Sequence, residues 1–135
     1  MSTVTAEVGR KGDLLRVSLR IDGWGTAAFG VLMLVAGPWL PGPLGLPASW
    51  FVPIGIAMLG GAIALGLISG CPVIPARYAR VAVAANAALG VALLPVAFAG
   101  VLPLTALGVG VVVLGAAWVL TFAALEYTGI RRATA

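Results

Sequence analysis

The sequence predicts an all-α fold: a bundle of four transmembrane helices joined by short loops, with both termini cytoplasmic. Three observations predict it. First, hydrophobic residues make up 61% of the 135-residue chain and charged residues 9%, against roughly 45–50% and 25% in globular proteins. A soluble domain this small buries too little surface to hide so much apolar side chain, so lipid is the solvent for much of it. Second, no charge occurs from Gly23 to Ala76 or from Val81 to Leu125, and each run suits two spans of about 20 residues. Third, proline and glycine interrupt each run once, near its middle.

In chain order, residues 1–12 read as a disordered cytoplasmic tail and 13–132 as a single transmembrane domain. Met1 to Ile21 lacks the apolar core of a signal peptide. In DLLRVSLRID, Asp13 to Asp22, apolar and polar residues alternate as in a strand, but Leu14, Val17, Ile21 and the Arg16/Arg20 pair also keep helical spacing. Helix is the better reading, because a lone strand at a membrane leaves backbone groups unpaired. It lies in the interface with Asp13 as N-cap and feeds a first span at 20–40. Pro38, Pro41, Pro43 and Pro47 then forbid a continuous helix. The second span is expected at 50–71, the third at 79–99 and, past the AGVLP break, the fourth at 104–128.

Orientation follows from charge. Arg10, Lys11, Arg16 and Arg20 precede the first span, Arg77 and Arg80 join the second and third, and Arg131 and Arg132 follow the fourth. All lie on one side, which the positive-inside rule makes cytoplasmic, in a bacterial plasma membrane. Trp39 and Trp50 flank the opposite loop, and Trp24, Tyr78 and Tyr127 the inner ends, as interfacial belts require. Trp118 is the exception, about 12 Å inside from Glu126 at 1.5 Å per residue; it reads as core filler or a lipid-facing ring, with a quinone platform as the distant alternative. The net charge of +4 is a topology signal and not a nucleic-acid footprint, since the basic residues form short flanking clusters with no extended basic face.

Absent chemistry narrows function. With no histidine and one cysteine, Cys71, the chain has no His-ligated metal or haem, histidine base, disulfide or redox pair; no cofactor is expected and an enzyme is not favoured. LISGC, Leu67 to Cys71, resembles a lipobox, but it ends a span on the cytoplasmic side, so Cys71 is read as a packing residue.

The polar residues in or near the spans are few. Asn86 lies about 9 Å past Arg80. The stretch from Gly23 to Leu40 is short for a span, so Ile21, Asp22 and Arg20 are drawn into the membrane edge. Asp22, Asn86 and Glu126 then form one layer near the cytoplasmic face, with Arg20 and Arg80 in reach. The layer is read first as structural, Asn86 bonding across helices and the carboxylates pairing with arginines, because transport sites sit near the midplane. The competing reading is a pocket for a head group, ion or small ligand. Ala62, Gly66 and Gly70, with Ala57 and Gly61 beside them, and Ala82, Asn86 and Gly90 suggest small-residue packing seams. Pro95 bends the third span.

LRVSLRIDG (Leu15–Gly23), LGLP (Leu44–Pro47), VAANAALG (Val83–Gly90) and FAALEYTGIRR (Phe122–Arg132) resemble a group of small four-helix integral membrane proteins of actinobacteria, and more distantly the DoxX-type proteins. The resemblance implies the same four-helix membrane fold and lends no catalytic residues. Members often carry a tryptophan shortly after the asparagine; here Ala88 and Leu89 follow. The expected function is a non-catalytic accessory or structural subunit of a larger membrane assembly. The alternative is a small transporter, possibly dimeric, or a lipid- or small-ligand-binding membrane protein. Expected partners are the bilayer and other membrane proteins or further copies of the chain, with no nucleic acid.

Overall fold

The computed structural model describes residues 3–134, with side chains over 14–133. The described chain is helical: α1 (Thr3–Ala36), a single turn α2 (Pro41–Leu44), a 3₁₀ turn (Ala48–Trp50), α3 (Phe51–Ser69), α4 (Ala76–Phe98) and α5 (Ala106–Thr134). Four stretches are long and apolar enough to cross a membrane: Leu14–Ala36, Ala48–Ser69, Ala76–Phe98 and Ala106–Ala133. This is a small multi-pass membrane protein.

The first helix departs most from expectation. It begins at Thr3, so Asp13 stands inside the helix and not at its N-cap position, and 3–12, read as tail, continue the helix; residues 1 and 2 lie outside the described residues. Extending a helix needs no new nucleus, and no proline stands before Pro38 to stop it. At the other end α1 closes at Ala36, before the expected Leu40, with Trp39 and Leu40 amides turning back onto the Ala36 carbonyl. Pro41 opens α2, where its missing N–H costs nothing. Gly45 ends it at φ 73°, and a Cβ there would fall 2.1 Å from the Pro103 carbonyl oxygen.

That close approach joins the two uncharged loops. The Thr105 amide donates to the Leu44 carbonyl (3.1 Å), and its hydroxyl donates to the Pro43 carbonyl (2.6 Å) while accepting the Gly108 amide (3.0 Å). Thr105 is thus the N-cap of α5, which starts at Ala106 and not at Leu104. At the basic end, the Arg16 guanidinium reaches past α3 and donates to the carbonyls of Ser69, Cys71 (2.7 Å) and Pro72 (3.1 Å), closing the α3 C-terminus.

The helices pack in the order α3, α1, α5, α4; α3 and α4 scarcely touch although a short loop joins them. Small residues set the seams, but not all the expected ones. Gly23 sits against Leu65 and Ala62, Gly30 against Gly55, and Gly90 lies so close to Leu120 that an added Cβ would fall 2.4 Å from its Cγ. Ala62, Ala82 and Gly90 are buried as expected. Ala57, Gly61, Gly66 and Gly70 are exposed, because α3 packs on one neighbour and needs only one small-residue stripe. Outward faces remain apolar, with Trp24, Trp39 and Leu67 at 78%, 70% and 71% exposure. Pro95 lies within α4, near its end.

Candidate functional site

Asp22 on α1, Asn86 on α4 and Glu126 on α5 meet where these three helices converge. Asp22 and Glu126 are both 0% exposed. The Asn86 amide nitrogen donates to Asp22 Oδ2 (2.8 Å) and to Glu126 Oε1 (3.0 Å), so one amide bridges two carboxyls from helices it does not belong to. The Trp118 indole N–H and the Thr26 hydroxyl donate to Asp22 Oδ1 at 3.2 and 3.3 Å. Asp22 is therefore ringed by three donors. Glu126 has one, and its Oε2 is buried with no partner.

Local sequence explains how each group arrives. Asp22 and Thr26 are one turn apart on α1, as are Phe122 and Glu126 on α5. Gly25 faces Trp118 so closely that a Cβ would lie 2.1 Å from its Cζ2; only glycine there lets the indole enter. Phe122 stacks at 4.7 Å on Trp118 and holds its ring.

Of the five residues expected in the layer, the structure brings three together. Arg20 and Arg80 are exposed, and neither donates a hydrogen bond to the cluster among the described residues; long basic side chains at helix ends extend toward water. The expected carboxylate–arginine pairing there is not formed. Trp118 and Thr26 take the places of the arginines, so the reading of Trp118 as filler or a lipid-facing ring is corrected. α4 starts at Ala76, so Asn86 lies about 15 Å along it and about 9 Å past Arg80 at 1.5 Å per residue. Arg77 and Arg80 belong to the first turns of that helix and do not mark its edge.

The electrostatics are unusual. Every partner the structure gives these carboxyls is a neutral donor, and interhelical hydrogen bonds in membranes contribute only about 0.6–1.7 kcal/mol each. Burying two carboxylates costs several times that. The cluster needs one positive counter-charge. Among the described residues no three His, Cys, Asp or Glu side chains gather.

Comparison with known proteins finds no matching family model, no matching curated protein and no matching solved structure.

Proposed function

We propose that this multi-pass membrane protein is a small proton-coupled carrier whose Asp22–Asn86–Glu126 cluster takes up and releases one proton. The observation that carries the reading is the fully buried Glu126, whose Oε2 has no partner beside an equally buried Asp22. Ionisable groups held inside a membrane bundle are costly and are kept for function; a packing role is served better by apolar residues. In this reading Glu126 carries the exchangeable proton on Oε2, beside Asp22 with its three donors. Asn86 holds both carboxyls at hydrogen-bond distance, so movement of α4 changes what each can share.

This takes the alternative of the two sequence-level expectations over the accessory subunit. The resemblance to four-helix proteins of actinobacteria belongs to the same proposal, as do the bacterial plasma membrane and cytoplasmic termini. Its support is that three of the four resembling stretches each supply one cluster residue: Asp22, Asn86 and Glu126.

Infrared spectroscopy of the reconstituted protein tests it. A protonated-carboxyl stretch is expected at neutral pH, lost in Glu126→Gln and retained in Glu7→Gln. Wild-type proteoliposomes should release protons on an alkaline jump and E126Q proteoliposomes should not. No protonated-carboxyl band in the wild type would sink the reading, and a heteromeric complex recovered from native membranes would then restore the accessory one.

A further inference from the structure

Between α1 and α3 the surface opens into a groove of about 360 Å³, separate from the carboxyl cluster. Its floor is small: Gly23 from α1, and Ala62 and Gly66 from α3. Its walls are the exposed Trp24 and Ile63. At one end stand Arg20 and Ser69. The Ser69 hydroxyl is spent on the Gly66 carbonyl (3.0 Å), whereas among the described residues Arg20 makes no hydrogen bond or ion pair. No acidic residue lines the groove.

The groove is thus amphipathic along its length. From Arg20 to Ala27 it follows α1 for about 10 Å, and from Ser69 to Leu59 it follows α3 for about 15 Å. Its cationic end lies beside the Arg16-capped terminus of α3, at the basic end of the bundle; everything beyond is apolar. A guanidinium at the membrane edge with no partner among the described residues recognises phosphate oxygens in a planar fork. Small residues below let a hydrocarbon chain lie against backbone.

We propose that this groove binds one anionic phospholipid, its phosphate on the Arg20 guanidinium and one acyl chain over Gly23, Ala62 and Gly66. Charge complementarity selects the lipid class: one cation in a lining without an acidic residue among those described favours a net-negative headgroup over a zwitterionic one, whose amine would meet Arg20 as a like charge.

Native mass spectrometry of the full chain in detergent, titrated with dioleoyl phosphatidylglycerol or dioleoyl phosphatidylcholine, tests this. One phosphatidylglycerol is expected to be retained with roughly tenfold preference. Arg20→Gln should bring the preference to about one while leaving phosphatidylcholine retention unchanged. Gly66→Leu fills the groove without displacing anything, since a Cβ there meets nothing within 4 Å, and should weaken both lipids about tenfold. Gly60→Leu, equally unobstructed but outside the groove, should change neither. Equal retention of the two lipids by the wild type, or a preference that survives R20Q, would overturn the proposal; so would a G66L protein that binds like G60L.

Discussion

Asn86 donates to two acceptors on two other helices, so its side chain is a three-helix tie. Replacing it with alanine strips Asp22 Oδ2 and Glu126 Oε1 of their donor, and each orphaned buried acceptor costs about 1–3 kcal/mol. Asn86→Ala should therefore lower the thermal midpoint in detergent far more than Ala88→Ser on the exposed side of the same helix. A midpoint within a degree or so of wild type would show that the tie carries no load. Gly25→Ala should act on the same cluster from the opposite side, pushing Trp118 off Asp22; red-shifted tryptophan emission and a smaller loss of stability, about 1–3 kcal/mol as for overpacking, are the expected readouts. Asn86 was legible as a polar residue inside a charge-free apolar run, and Asp22 and Glu126 as the charged residues that border such runs. Trp118 was not, because its role depends on a missing Cβ at Gly25, ninety-odd residues upstream in the chain but in contact in space. The arginines misled for a related reason: spacing placed Arg20 and Arg80 near the carboxyls along the chain, while the helix rotation that turns them outward is a tertiary property.

At the scale of elements, α3 is held by one helix and one side chain. Arg16 closes its C-terminus with bonds to three carbonyls, and hydrogen bonds from a charged donor contribute about 1.5–3 kcal/mol. Arg16→Ala should fray that end. The adjacent Cys71, partly exposed and bonded through its thiol to the Leu67 carbonyl at 3.4 Å, reports on it: maleimide labelling should speed several-fold in R16A and less in Arg16→Lys. Unchanged labelling would mean that the cap is dispensable. Sequence showed which stretches break the helices, the proline-rich 37–49 and the region around Gly100, but carried the first span to Leu40 where the helix closes at Ala36. It did not show Arg16 as a cap, since backbone acceptors leave no residue-type signature, and it mistook the start of α1, where no breaker exists to read.

At the scale of the whole molecule, the packing order puts the first and last long helices side by side, with all basic residues of the described spans toward one end. In the proposed topology, which rests on the positive-inside rule, that end faces the cytoplasm. A C-terminal fusion at Ala135 should then be active with a cytoplasmic reporter and silent with a periplasm-dependent one, and a fusion within the Trp39–Trp50 loop should behave oppositely. The reverse pattern would invert the topology.

The pairing of the first helix with the last has a consequence for how the chain is made. Asp22 is synthesised and inserted early, but its tryptophan donor follows 96 residues later, roughly 5–20 s at ordinary translation rates. Until then its carboxyl has Thr26 on its own helix and, once residue 86 is made, Asn86, but not the indole that completes its set of donors. An incomplete chain therefore carries its own mark of incompleteness in the bilayer, a polar group whose partners have not arrived. Membrane-embedded quality control that recognises such groups can tell a stalled or truncated copy from a finished one without inspecting its end.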